Sequence, residues 1–373
     1  MKVKLSDAFE LQMGKTPPRN DRECWGEGHK WISISDIGST GKYIDATKEE
    51  ITDAGVSKSG IKVVPKGTVI MSFKLSIGKT AITAEDMYTN EAIMAFINKG
   101  RYEINTDYLY HMCKGIDWLA GTNKAVLGLT LNKATMSEKE IVIPSMAEQL
   151  HVVSVLDKMD ELIALRKEQL TKLDQLVKSR FIELFGDRYI NDKKWDNKPL
   201  YECADFYNGK AHEQVVDENG EYILVTSRCI ASDISDYRRT NALLFPLQVN
   251  DIAMVMSDVP NGRALAKCVL IDEDGKYTLN QRICCLRNYS FNPIFFYYLL
   301  NRHEYFLSFN DGNAQTNLRK DDLLACNIII PPMELQEQFA AFVEQTDKSK
   351  VAIQQSLNKL ELLKKSLMQE YFG

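Results

Sequence analysis

The chain has 373 residues, 46 basic against 51 acidic, for a formal net charge of −5, and 45% of its residues are hydrophobic. That length holds two globular cores of ordinary composition. The mildly acidic balance argues against a protein that coats nucleic acid without specificity, while leaving room for a local basic face. No apolar window approaches a membrane span, and no hydrophobic signal run opens the chain. The eight cysteines form no Cys-x-x-Cys pair and have no histidines at zinc spacing, so they read as reduced thiols of a cytoplasmic protein.

Residues 1–146 alternate short apolar runs with glycine and polar turns. Trp31 to Ile37, Gly67 to Phe73 and Ala92 to Ile97 are strand candidates, and Thr106 to Lys114 is a helix. From 147 to 186 the texture changes to one helix without Gly or Pro up to Phe185, with Ser145 as its cap because Glu148 stands three residues on. Its apolar positions include Leu156, Ile163, Leu170, Leu173, Val177 and Leu184 and advance in steps of four and three, interrupted at Arg166 and Arg180, as a coiled-coil seam does. At 1.5 Å per residue this helix reaches about 60 Å.

Residues 187–333 repeat the mixed pattern, with strand candidates Tyr222 to Val225, Asp251 to Met256, Cys268 to Ile271 and Arg282 to Leu286, and a hairpin turn at Asp274-Gly275. The acidic run Asp272 to Asp274 lacks the spacing and closing glutamate of a calcium loop. Asn292-Pro293 opens a helix. Residues 334–373 form a second long helix whose stripe carries Ile353, Leu357, Leu360 and Leu367, with Leu363 rather than Lys364 facing in. Each long helix is the natural partner of the other.

The two halves are copies. Leu5, Gly14 and Lys15 recur as Leu200, Gly209 and Lys210, Met71-Ser72 as Met256-Ser257, and Asn90-Glu91 as Asn280-Gln281. Leu131-Asn132-Lys133 recurs as Leu318-Arg319-Lys320, Ile141 to Pro144 as Ile328 to Pro331, Glu148-Gln149 as Glu337-Gln338, and Phe185-Gly186 as Phe372-Gly373. Such a duplication implies a two-fold pseudosymmetric molecule, suited to a two-fold target. The fold class expected is α+β: two mixed α/β domains related by duplication, separated by two long helices paired as an antiparallel coiled coil.

Catalytic equipment is sparse. Asn292-Pro293-Ile294-Phe295 lacks the second proline of an adenine methyltransferase site, no glycine-rich cofactor loop follows a strand, and Gly78-Lys79-Thr80 has Phe73 where a phosphate loop needs its opening glycine. Recognition chemistry is concentrated instead in three loops present in both halves. The first carries Lys15, Thr16 and Arg19, matched by Lys210. The second carries Lys74, Lys79 and Thr80, matched by Asn261 and Arg263. The third carries Lys124 and Lys133, matched by Asn313, Gln315, Thr316, Asn317, Arg319 and Lys320. Asn, Gln and Arg make bidentate contacts to purine edges, and Lys, Ser and Thr suit phosphates.

Together these residues resemble the specificity subunit of type I restriction-modification systems. The resemblance covers the whole chain. It rests on the order domain, helix, domain, helix, on Ile330 to Phe339 (Ile-Pro-Pro-Met-Glu-Leu-Gln-Glu-Gln-Phe) with its weaker copy from Ile143 to Leu150, on the Phe-Gly endings, and on the Gly312 to Leu323 loop. It implies two target recognition domains, each reading half of a split asymmetric double-stranded DNA site, and helices that set the gap. It also implies two docked methyltransferase subunits and two restriction subunits, which hold the S-adenosylmethionine, ATP and magnesium, so that this chain binds no cofactor or metal and is not itself an enzyme. A helical scaffold that assembles partner proteins without reading DNA is the alternative.

Overall fold

The two stretches without helix breakers become single helices of 40 residues, Met146–Phe185 and Met333–Phe372. The first begins where its capping signal stands. The Ser145 backbone N–H donates to Glu148 Oε2 at 2.8 Å, and the Glu148 N–H donates back to Ser145 Oγ at 3.4 Å. The protein is seen here as a computed structural model that describes residues 1–38, 41–74, 76–120, 131–258, 264–310 and 316–373. It contains two compact units, Met1–Lys167 with Gln355–Gly373, and Glu168–Gln354. Each unit therefore takes a mixed α/β domain together with a portion of both long helices.

In the first unit, five strands lie in the order Phe9–Met13, Ile93–Asn98, Val69–Ser72, Thr80–Thr83, Tyr43–Ile44. A three-stranded sheet places Trp25–Ile32 between Glu49–Ile51 and the parallel Tyr88–Thr89. A ribbon pairs Lys2–Lys4 with Glu140–Val142. The apolar run expected as a strand from Trp31 to Ile37 stops at Ile32. There Asp36 turns the chain by accepting from the Ser33 N–H at 2.8 Å, a local bond that competes with the sheet ladder. The core gathers Leu5, Phe9, Met71, Phe96 and Leu109 against Val152 and Leu156 of the first long helix, with Leu367 and Tyr371 of the second packed on it.

The second unit repeats this strand order, with no counterpart of Tyr43–Ile44 among the described residues. Its four-stranded sheet runs Asp205–Asn208, Ile283–Arg287, Ile252–Val255, Cys268–Leu270. Its three-stranded sheet sets Tyr222–Val225 between Arg238–Thr240 and the parallel Tyr277–Leu279, and its ribbon pairs Asn197–Pro199 with Asn327–Ile329. The core is rich in rings: Phe181 stacks on Phe295 with centroids 5.9 Å apart, and Phe185 and Phe339 lie 5.7 Å apart, so this portion of both helices is held by the domain as well as by each other. Asp274-Gly275 is a turn, with Gly275 at φ 68, but not a hairpin. Cys268–Leu270 pairs with Ile252–Val255, whereas Tyr277–Leu279 pairs with Tyr222–Val225, so the turn passes the chain between sheets. Its acidic side chains are engaged: Tyr277 Oη donates to Asp272 at 2.7 Å, Lys276 pairs with Glu273 at 2.8 Å, and the Val249 N–H donates to Asp274 at 2.7 Å.

Matching hydrogen bonds fix the repeat residue by residue. Gly14 N donates to Ile93 O at 3.2 Å as Gly209 N does to Ile283 O at 3.1 Å, and Leu5 N to Lys139 O as Leu200 N to Cys326 O, both at 2.8 Å. Two sequence matches shift. Ser72 pairs with Ile93 and Val255 with the equivalent Ile283, so Met71 answers Met254, not Met256. A two-residue slip keeps every side chain on its face, so the alternating pattern could not exclude it. In the helices, Gln149 answers Gln336 rather than Gln338, at the offset that separates Met146 from Met333. Gln149 accepts from the Asn105 N–H at 2.8 Å and donates to Pro144 O at 3.1 Å. Gln336 accepts from the Asn292 N–H at 3.0 Å and donates to Pro331 O at 2.8 Å.

Within each unit the long helices run antiparallel. In the first, Lys364 pairs with Asp160 and Lys167 with Glu361 at 2.9 Å; in the second, Lys350 pairs with Asp174 at 2.7 Å and Arg180 lies 5.9 Å over the Phe342 ring. Of the expected seam, Leu156, Val177 and Leu357 are buried, and Ile163, Leu170, Leu173, Leu184, Ile353, Leu360 and Leu367 are half-buried. The expected inward turn of Leu363 is reversed: Leu363 is 50% exposed, and the Lys364 side chain is 17% exposed. Lys364 stands four residues past Leu360, on the stripe. Its methylene stem covers apolar surface while its ammonium reaches Asp160.

Candidate nucleic-acid interface

A close backbone approach organises the loops of each unit. A Cβ on Gly14 would lie 2.0 Å from Thr89 O, and one on Gly209 would lie 2.0 Å from Asn280 O, so only glycine lets the first loop cross the turn before the strand Ile93–Asn98 or Ile283–Arg287. Lys15 N donates to Thr89 O and Lys210 N to Leu279 O, both at 2.9 Å. The crossed turn closes through Ile93 N to Asn90 O and Ile283 N to Asn280 O, both at 3.1 Å. The second loop joins it, with Phe73 N donating to Ala92 O at 2.9 Å and Met256 N to Arg282 O at 3.2 Å. In the second unit the third loop joins as well. Leu318 N donates to Met256 O at 2.7 Å, and Ser257–Asp258 pairs with Thr316–Asn317.

The sequence-derived residues take different places on this frame. Lys79, Lys133, Lys210, Arg319 and Lys320 are exposed, and among the described residues none of them is ion-paired. Lys133 and Lys320 each begin a short helix, Lys133–Ser137 and Lys320–Leu324, and Lys320 Nζ lies 5.1 Å over the Phe206 ring. Lys74 is half-buried, 5.3 Å over Phe73. Arg19 is clamped: its guanidinium sits 3.9 Å over Trp25 and 4.9 Å from Trp31 and binds both oxygens of Glu49. Thr16 donates to Glu91. Asn317 is exposed on the ribbon with Ser257, and Thr316 pairs with Asp258 through its backbone.

Two of the expected contacts also take part in the fold. Lys15 donates to the carbonyls of Ser59 and Gly60, both at 3.0 Å, closing the end of the helix Asp53–Ser59. Thr80 is 8% exposed, and its hydroxyl donates to Gly78 O at 3.0 Å, in the turn that precedes its strand. Lys124, Asn261, Arg263, Asn313 and Gln315 lie outside the described residues.

Sequence reasoning missed the groups that hold the loops. Ser72 is the pin of the second: its Oγ accepts from Lys79 N at 3.1 Å and donates to Ser76 O. In the sequence, Glu91 and Gln281 stand out only as part of the repeat. Burial works against the Glu91 charge, but the Thr16 hydrogen bond and the cations Lys74 and Arg19 outweigh it and hold the carboxyl below its ordinary range. Gln281 Nε2 donates to Glu213 at 2.7 Å. The residue identities at 91 and 281 were the available signal, since a charged group recurs as an amide at a matched position.

These features define a duplicated α+β protein whose loops, at matched places, carry exposed cations and amides. The chain belongs to the type I restriction modification DNA specificity domain family, whose model matches residues 1–175 and 192–362. It is 28% identical over 199 residues to the type I restriction enzyme MjaIX specificity subunit of Methanocaldococcus jannaschii, covering 52% of this chain and 45% of that protein. It is 27% identical over 188 residues to the HindI specificity subunit of Haemophilus influenzae, covering 48% and 40%. The matched stretch thus spans under half the length of these curated relatives. A solved chain from work on complex assembly and conformational transition of the type I R-M system aligns over 100% of this chain and 97% of its own, with TM-score 0.68 and 16% identity. The type-I restriction-modification S subunit from M. genitalium aligns over 100% and 96%, with TM-score 0.51 and 14% identity. At these identities the structural likeness shows a shared fold.

Proposed function

We propose that this chain is the non-catalytic specificity subunit of a type I restriction-modification complex. Each unit reads one half of a split, asymmetric double-stranded DNA target. The long helices set the gap between half-sites and dock two methyltransferase subunits, and two restriction subunits complete the assembly. S-adenosylmethionine, ATP and magnesium belong to those partners.

The observation that carries this reading is one frame built twice with different loop chemistry. The backbone bonds around Gly14 and Gly209 agree within a few tenths of an ångström, while the tip residues are Glu91-Ala92 in one unit and Gln281-Arg282 in the other. A conserved geometry with altered hydrogen-bonding edges is what two readers of different sequences need, because base identity is discriminated by donor and acceptor pattern. Exposed Lys79, Lys133, Lys210 and Lys320 supply candidate phosphate contacts, which position without reading. The relatives' description as specificity subunits supports the same conclusion.

The test is a genome-wide map of N6-methyladenine in cells expressing this chain with a cognate methyltransferase subunit, against cells expressing that subunit alone. The expected result is a split, asymmetric motif that appears only with this chain. A stable complex that methylates no defined motif would favour the scaffold alternative and refute the proposal.

A further inference from the structure

We infer that Glu91 and Gln281 are equivalent specificity-determining residues, Glu91 accepting a hydrogen bond from a cytosine amino group in one half-site and Gln281 pairing with an adenine in the other. The inference rests on the proposed function and adds to it the residue position and the base class in each half-site.

Their equivalence follows from hydrogen bonds. Asn90 N donates to Ile32 O at 3.0 Å as Asn280 N does to Val225 O at 3.1 Å, and each residue in question is the next along the chain, at the tip of a closed turn. Both side chains are exposed. Each tip lies where the loops meet. In the first unit, Gly14 to Arg19 reaches it through Thr16, and the second loop through Phe73. In the second unit, all three recognition loops converge on it: the first through Glu213, the second through Met256, and the third through Leu318, which bonds to Met256.

The chemistry then separates the two units. An ionised carboxylate only accepts and has no donor to offer a phosphate, so on a DNA-facing tip it is useful against a donor edge. Cytosine presents its N4 donor alone and is the match for Glu, whereas adenine sets the N7 acceptor beside its N6 donor and the carbonyl edges of thymine and guanine are repelled. Thr16 uses Glu91 Oε2 and leaves Oε1 to accept. Gln281 gives one N–H to Glu213 and keeps a second N–H and its carbonyl, the pair that adenine N7 and N6 require. The adjacent Arg282 adds a cation that the first unit's Ala92 lacks.

The experiment introduces Glu91→Gln and, separately, Gln281→Glu into the full chain assembled with its methyltransferase, and maps methylated sites. Each substitution is expected to shift base preference at one position of one half-site by about tenfold or more, leaving the other half-site unchanged. Thr16→Val, which removes the bond to Glu91 but keeps the carboxylate, is expected to lower methylation without altering the motif. A motif unchanged by both tip substitutions overturns the inference. So does a uniform loss in Glu91→Gln that Thr16→Val reproduces, since Glu91 would then be a loop anchor. A wild-type complex without a split motif overturns the specificity reading itself, a result separate from either.

Discussion

Replacing Gln336 by leucine keeps the side-chain volume and deletes one buried and one part-buried hydrogen bond. Gln336 is 2% exposed. It bonds Pro331 O, just before the long helix, and the Asn292 N–H, at the start of the helix Pro293–Leu300. The substitution leaves a buried backbone carbonyl and a part-buried N–H without these partners, at roughly 1–3 kcal/mol each. Leucine's added apolar burial offsets about 1 kcal/mol, so the net loss is about 3 kcal/mol. For a unit of this size each kcal/mol moves the melting temperature by roughly 2–4 °C, which gives a fall of about 6–12 °C in a thermal melt of the full chain followed by circular dichroism. The exposed Gln338, which sequence matching pairs with Gln149, is the control, and Gln338→Leu should stay within about 0.5 kcal/mol. Gln149→Leu in the other unit orphans the Asn105 N–H and the carbonyls of Glu103 and Pro144, so its loss should be at least as large. Equal melts for Gln336→Leu and Gln338→Leu would refute both the register and the reasoning.

Burial, with Arg188 beside it, pushes His303 down from its ordinary 6.5 to about 4. The fold holds the neutral ring, so this stabilisation is complete above pH 6.5 and is lost as pH falls toward 4, at about 1.4 kcal/mol per pH unit. His303→Gln should flatten that part of a pH series of denaturant midpoints, and an unchanged slope would remove His303 as its source. Leu357→Ala should cost about 2–4 kcal/mol because the side chain is buried, whereas Leu363→Lys should change stability by less than about 0.5 kcal/mol; chemical denaturation of the two variants checks the seam. Lys133→Ala and Lys320→Ala should weaken DNA binding by the assembled complex for every sequence and each lower the salt slope by about one. Unchanged methylation rates and salt slopes would end their assignment as phosphate contacts. Asn317→Ala should instead relax specificity in one half-site.

Much of the architecture is local and was therefore legible. Apolar steps of four and three without Gly or Pro define Met146–Phe185, and the Ser145 and Asn292 caps stand where their helices begin, because capping and helical period act within a few residues. The duplication is visible for the same reason, as residues such as Gly14 and Gly209 must recur wherever the same close approach recurs. The match of Lys133 with Lys320 is legible too, since each begins an equivalent short helix.

What the sequence by itself determined, then, is the repeated order of domain and helix and the family whose loops carry the polar groups. Tertiary structure alone decided the partners. The turn at Gly275 passes between sheets because strands far apart in the chain claim its two flanks. Met71 aligns with Met254 because backbone register, unlike an alternating pattern, has no two-residue ambiguity. Lys364 lies inward because Asp160, on the other helix, receives its charge, and the Lys15 ammonium closes a helix end because the fold brings the carbonyls of Ser59 and Gly60 to it. A polar side chain's role depends on which groups the folded chain brings within hydrogen-bonding distance, and that proximity is a property of long-range packing.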